Sequence, residues 1–231
     1  MKKSNKLLLG GFLLGLLLIT AIHVTLYAKY KAGDYTIYNA EDDLTPQSMQ
    51  TFPNILFVSV RNVPDARVKF SDVAQVEKDT DEGIQYIRRG DTLLITRKDT
   101  TNKEGLSYPL SFSLPHNATL SVYNSSLSFI SGKHSVDINP VIHLQKSQAF
   151  FSGSEGQLRF GHMKVTASDN STIALQGNTQ VANFEVQLSH SGIEYGDGDF
   201  GQLSITTDSL SRISLQSKHL LKAKINTITQ E

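Results

Sequence analysis

Ser147-Gln-Ala-Phe-Phe-Ser-Gly153 and Ser171-Thr-Ile-Ala-Leu-Gln-Gly177 are two copies of one pattern, and its recurrence decides the fold. A serine is followed by a small or apolar residue two places on, a bulky apolar residue four places on and a glycine six places on. Ser126-Leu-Ser-Phe-Ile-Ser-Gly132 is an earlier copy, and Ser191-Gly-Ile-Glu-Tyr-Gly-Asp197 and Ser211-Arg-Ile-Ser-Leu-Gln-Ser217 are looser later ones. The serines stand 21, 24, 20 and 20 residues apart. A period near twenty with strand-like alternation inside each unit is the sequence form of a stacked β-solenoid.

Each unit also carries an apolar stretch before its serine: Leu120-Ser-Val122, Ile142-His-Leu144, Met163-Lys-Val165, Val186-Gln-Leu188 and Leu203-Ser-Ile205. Leu221-Lys-Ala-Lys-Ile225 is a further copy of it. Alternate side chains of a strand point to opposite faces. Val122, Leu144, Val165, Ile205 and Ile225, with Ile173, Ile193 and Ile213, are therefore expected to line the interior. The lysines of the last stretch should point outward and discourage edge-to-edge stacking. The expectation is an all-β parallel solenoid of about five rungs, ~4.8 Å apart and roughly 24 Å long in the repeated part.

Upstream, Ile55-Leu-Phe-Val-Ser-Val60 reads as a strand, Asn62-Val-Pro-Asp65 as a turn, and Ala66-Arg-Val-Lys-Phe70 as the strand's partner. Gln85-Tyr-Ile-Arg88 and Thr92-Leu-Leu-Ile-Thr96 flank Arg89-Gly90-Asp91 and predict a hairpin. Leu110-Ser-Phe-Ser-Leu114 alternates up to Pro115, as an edge or a strand end would. These strands, within residues 52–117, should cap or continue the repeats of residues 118–231.

Leu7 to Ala28 contains no acid, lysine or arginine, and twenty-two helical residues span ~33 Å, about the thickness of a bilayer core. Residues 7–28 are read as a transmembrane anchor; the alternative is a cleaved signal segment, although Leu26-Tyr27-Ala28 is a poor cleavage site. Lys2, Lys3 and Lys6 keep residues 1–6 cytoplasmic and send the body across the membrane. Tyr27 and Tyr30 would sit at the far interface. Residues 29–51 form a tether in which Tyr35-Thr-Ile-Tyr38 suggests a short strand. The placement expected is an inner membrane with the body in the periplasm, or a released periplasmic or secreted protein if the segment is cleaved.

The chain of 231 residues has zero formal net charge and neither Cys nor Trp. Neutrality speaks against nucleic acid as a partner, and the absence of Cys excludes disulfides and thiolate metal sites. Ser126, Ser147, Ser171, Ser191 and Ser211 are too many equivalent hydroxyls to be nucleophiles and suit corners, where Ser, Asn and Asp stabilise turns. Gly196-Asp-Gly-Asp-Phe-Gly201 is a single copy of a calcium-turn-like sequence, where real examples come in arrays. Arg89-Gly90-Asp91 is an attachment tripeptide that is also ordinary turn chemistry. His116, His134, His143, His162, His190 and His219 lack metal spacing. A polysaccharide-active β-helix enzyme would draw acids from Asp169, Glu185, Glu194, Asp197 and Asp208 and a base from Arg212 or Lys164. These occur singly, so no catalytic residues, metal or cofactor are assigned.

From Phe52 to Ile225, about three quarters of the chain, the sequence resembles the bacterial head GIN domain family of autotransporter-type adhesin heads. The matching features are Gly90-Asp91-Thr92-Leu93-Leu94-Ile95, Leu110-Ser-Phe-Ser-Leu-Pro115 leading into Leu120-Ser-Val122, and the Ser-x-apolar-x-apolar-x-Gly units. Asn124-Ser125-Ser126 and Asp169-Asn170-Ser171 stand where the family often carries Gly-Ser-Gly corners. The resemblance implies a right-handed, single-stranded parallel β-helix exported to the cell envelope, with no established catalytic residues.

A solenoid presents long polar faces suited to an extended partner, an envelope protein or a glycan, rather than to an enclosed small molecule. Aromatic side chains would mark the contact surface. Tyr123, Phe129, Phe150 and Tyr195 are the candidates. Phe129 and Phe150 are each out of phase with the inward Ile130 and Phe151, which predicts an exposed aromatic ladder on adjacent rungs. The alternative function is a purely structural envelope scaffold.

Overall fold

The computed structural model describes residues 3–31, 49–77, 83–97, 109–130, 138–152, 157–196 and 198–228. The strand expected at 35–38, His134 and Asp197 lie outside them. The chain divides into two units, Met1–Pro46 and Gln47–Glu231.

In the first unit, α1 spans Lys3–Lys31. Its side chains are described continuously over residues 10–25, where Phe12, Leu14, Leu17 and Val24 are exposed. The membrane span expected over residues 7–28 is not met there: among the described residues, no helix is long and apolar enough to cross a membrane.

The second unit is a β-solenoid built from two nine-stranded sheets that enclose one apolar core. Its turns run β8 (Thr119–Tyr123) to β9 (Ser126–Ile130), β10 (Val141–Gln145) to β11 (Gln148–Ser152), and β12 (Leu158–Ser168) to β13 (Thr172–Gln176). They continue as β14 (Thr179–Ser189) to β15 (Gly192–Tyr195) and β16 (Asp199–Thr207) to β17 (Arg212–Ser214). A one-turn helix, α2 (Ser217–Leu220), then leads to β18 (Ala223–Thr227). Even-numbered strands from β8 onward stack in parallel in one sheet, here sheet B, and odd-numbered strands from β9 in the other, sheet A.

Parallel in-register stacking turns the alternation into columns. Leu120, Ile142, Val165, Val186, Ile205 and Ile225 are successive partners in sheet B, and Leu127, Ala149, Ile173, Ile193 and Ile213 in sheet A. Of the side chains expected inside, Val122, Leu144, Val165, Ile173, Ile193 and Ile205 are buried. Ile213 is half-buried and Ile225 is 43% exposed, contrary to expectation. Both belong to the last turn, beyond which no described strand completes the column.

The corners between sheet B and sheet A follow one rule. A residue in the left-handed region turns the chain: Asn124 (φ 48°), Lys146 (52°), Asp169 (56°) with Asn170 (64°), and His190 (50°). Asn and Asp tolerate this conformation without glycine, which accounts for the missing Gly-Ser-Gly corners. A serine follows each one. Its hydroxyl accepts a hydrogen bond from the backbone N–H of the serine one turn earlier: Ser125 N to Ser147 Oγ (3.2 Å), Ser147 N to Ser171 Oγ (3.1 Å), Ser171 N to Ser191 Oγ (3.2 Å) and Ser191 N to Ser211 Oγ (3.2 Å). Ser125, Ser147 and Ser191 donate to the carbonyl two residues back, Ser171 to that of Ser168, and Ser211 to Asp208. The first member of this column is Ser125, not Ser126 as the sequence pattern suggested.

The N-terminal strands join the same solenoid by a different path. β2 (Phe57–Arg61) and β3 (Ala66–Ser71) were expected to pair; instead β2 lies in sheet B beside β8 and β3 in sheet A beside β9. They form a turn of the coil, with Asn62 (φ 57°) at the corner and Val63 N bonded to Ser125 Oγ at 3.0 Å. The chain then winds outward. β6 (Thr92–Arg97) and β7 (Leu110–Pro115) stack parallel on β2 and β3, and the chain returns past them to β8. β1 (Met49–Phe52) and β4 (Ala74–Glu77) close sheet A with antiparallel pairing. β5 (Ile84–Arg89) closes sheet B through the expected hairpin to β6, with Gly90 at φ 62° in the turn.

At the other end, His219 of α2 plugs the core, its ring 4.5 Å from that of Phe200 and 4.8 Å from that of Tyr195. Burial holds the imidazole below its usual pKa; Lys218 and Lys222 push the same way, while Asp199 and the Gly198 backbone oppose. A depressed histidine is neutral in the fold, so the unfolded chain gains protons first as pH falls below ~6.5 and stability declines from there. Unfolding temperatures measured across pH 5 to 7.5 should fall at the acid end, and His219→Phe should remove that part of the decline.

Candidate binding face on the outer side of sheet B

The columns that bury one set of side chains project the other. With Val58, Val60, Leu120, Val122, Ile142 and Leu144 inward, the intervening residues of β2, β8 and β10 form rows on the outside of sheet B. One row reads Arg61, Tyr123, Gln145, Ser168 across four adjacent strands, and the next reads Ser59, Ser121, His143, Thr166. At ~4.8 Å per strand this is a patch ~14 Å long. A shallow cleft of about 400 Å³ opens on it, with Arg61, Tyr123, His143 and Gln145 in its walls.

Tyr123 is 37% exposed. Arg61 has no carboxylate partner among the described residues; its Nε reaches Ser59 Oγ at 3.4 Å. Gln145 Nε2 donates to Asp169 Oδ2 at 2.7 Å. Phe57 is also exposed on this face, ~13 Å from the Arg61 row at four residues of ~3.3 Å along β2. The arrangement offers a ring, a cation, an amide and hydroxyls on a rigid floor. It can hold a polar chain lying across it.

The aromatic ladder predicted from sequence does not exist. Phe129 is fully buried and stacks on Phe151, with ring centroids 4.4 Å apart and planes 8° from parallel. The strand register pairs Phe129 with Phe151 and Phe150 with Ser128, so aligning Ser126 with Ser147 was a slip of one residue, which moves every side chain to the other face. Phe150 is half-buried on the outside of sheet A between Ser128 and Ala174. Tyr195 is buried against Phe200, and burial with the nearby Asp199 carboxylate pushes its phenol well above the usual value. Of the four aromatic candidates, Tyr123 is the one exposed on this face. Arg61, His143, Gln145 and Phe57 were missed as contact residues, although the alternation Phe57-Val-Ser-Val-Arg61 already placed Phe57 and Arg61 opposite two inward valines.

Several of the remaining candidates are tied into the scaffold. Asp208 accepts from the His190 and Leu210 N–H groups and from Ser211 Oγ, and lies 3.2 Å from the His190 ring. The Ser211 hydroxyl, followed by those amides, holds its carboxyl below the usual range. His162 faces Glu185 at 3.7 Å and His116 faces Asp72 at 3.5 Å. Among the described residues no three His, Asp or Glu side chains gather as a metal site. In the calcium-turn-like stretch, a Cβ on Gly198 would lie 2.9 Å from Thr179 O, and one on Gly201 2.7 Å from Ala182 O, so close strand approach demands both glycines. Arg89, Gly90 and Asp91 are exposed, with Asp91 O accepting from Leu56 N and Phe57 N. A wider cleft of about 650 Å³ at the corners is lined by Lys146, Asp169, Asn170 and His190.

No family model matches the chain, and no curated protein does. Solved structures do. A proposed adhesin from Bacteroides fragilis matches at a TM-score of 0.31 and 11% identity over 78% of this chain and 96% of that one. A proposed adhesin from Parabacteroides merdae matches at 0.27 and 9% identity over 79% and 95%, and a proposed cell adhesion protein from Clostridium sporogenes at 0.26 and 7% over 78% and 97%.

Proposed function

We propose that the chain is an adhesin-like module of the cell envelope that binds an extended glycan or protein segment across the outer face of sheet B. The observation that carries this reading is the cleft in which an exposed Tyr123 stands beside Arg61, with no carboxylate partner among the described residues, on a flat, rigid, polar floor. Tyrosine and arginine are the residues over-represented where binding energy concentrates. The sequence supports the rest of the proposal: a resemblance to the head GIN family with its right-handed coil, and a body exported to the periplasmic side. In this reading the protein is no enzyme, since Asp169, Glu185 and Asp208 each serve a neighbouring side chain or corner.

Alanine at Tyr123 and at Arg61 should each weaken retention on an array of envelope-type oligosaccharides and extended peptides. The expected loss is ~2 kcal/mol, roughly thirtyfold. Both positions are on the surface, so unfolding should shift by less than ~0.5 kcal/mol. If no array member is retained, or both variants bind as the parent does, the scaffold function replaces this one.

A further inference from the structure

The two ends of the solenoid are built differently. Beside β6 and β7, both sheets end in antiparallel strands, β4 and β1 in one and β5 in the other. At the far end no described strand pairs with the free edge of β17 or β18. The last turn also leaves large apolar side chains in the open: Leu221 is 91% exposed, Leu210 68%, Leu220 and Ile228 49%, and Ile225 43%. Unpaired strand edges are templates for another strand, and apolar side chains left exposed on the same last turn add surface that association can bury.

We propose that this end is an interface between two copies of the chain, joined about a two-fold axis with β18 antiparallel to its mate. The sequence of β18, Ala223-Lys-Ile-Asn-Thr227, is self-complementary in one register. Centred on Ile225, the two isoleucines meet, Ala223 faces Thr227, and Lys224 faces Asn226. The strand's one charge then meets a neutral amide. Centring on Lys224 would oppose two ammonium groups, which is destabilising; the lysine guards against that register and permits the other. The five exposed side chains supply on the order of 500 Å² per copy, so the pair buries about 1,000 Å², the lower bound for a specific interface. Such a pairing continues sheet B from one copy into the next. Both clefts then lie on the same side of one sheet, and two linked sites bind a repetitive partner more tightly than one.

The chain has no cysteine, so a single introduced thiol reports on the interface. Directly opposed antiparallel residues have Cα atoms ~4.5–5.5 Å apart, inside the range for a disulfide. In the full chain in detergent, Ile225→Cys should oxidise to a reducible dimer an order of magnitude faster than Ser204→Cys, and Ile225→Lys should sediment as a monomer where the parent is a dimer. Association through α1 alone would not bring position 225 together. If Ile225→Cys stays monomeric while unfolding like the parent, or cross-links no faster than Ser204→Cys, the interface is absent.

Discussion

Replacing Phe151 by alanine should destabilise the protein by ~3–5 kcal/mol, the range for emptying a buried aromatic site. The ring is fully buried, stacks on Phe129 at 4.4 Å and meets Phe160 edge-on at 5.8 Å. Little can move in to fill the gap. β11 is hydrogen-bonded to β9 on one side and β13 on the other, so the strands cannot close without breaking their ladders. Against a total stability of ~5–15 kcal/mol, this is a large fraction. Urea unfolding checks it: a midpoint close to that of the parent would mean that the ring is not between the sheets.

The second large effect is expected at a hydroxyl. Ser171 Oγ accepts from Ser147 N at 3.1 Å and donates to Ser168 O at 2.6 Å, and the side chain is buried. Alanine there strands the Ser147 N–H, at ~1–3 kcal/mol when no water can replace the lost partner, while Ser168 O still accepts from Lys146 N at 3.3 Å. The expected loss for Ser171→Ala is therefore ~1–3 kcal/mol. Ser126→Ala is the matched control: Ser126 is only half-buried and stands outside the ladder, so its change should stay within ~0.5 kcal/mol. Equal losses at the two serines would contradict the column as described.

Periodicity alone made the solenoid legible, because the same alternation recurs at each inward position from Leu120 to Ile205. Register was not legible to the same degree. The first copy contains Ser125 and Ser126 in succession, and both fit the pattern. Only the backbone, with Asn124 left-handed and Ser125 bonded to the turns on either side, decides between them. That choice carried Phe129 from the surface to the core and removed half of the predicted ladder. The path of β2 and β3 was hidden for a related reason. A turn at Asn62 to Asp65 reads the same whether it joins paired strands or two opposite sheets, and the difference lies in contacts with β8 and β9 far along the chain. The proposed binding face was only partly legible. Tyr123 could be named from its own strand, but Arg61 comes beside it through a pairing across 62 residues of sequence.

In the proposed function, labour is divided: inward columns hold the fold, and the outward rows of sheet B make contact. Tyr123→Ala and Phe151→Ala, measured side by side for unfolding and for retention on the same array, test it most directly. Tyr123→Ala should keep the parent's unfolding curve and lose retention, while Phe151→Ala should unfold early and, at temperatures where it remains folded, be retained like the parent. A Tyr123→Ala protein that is retained normally, or a folded Phe151→Ala protein that is not, would contradict it.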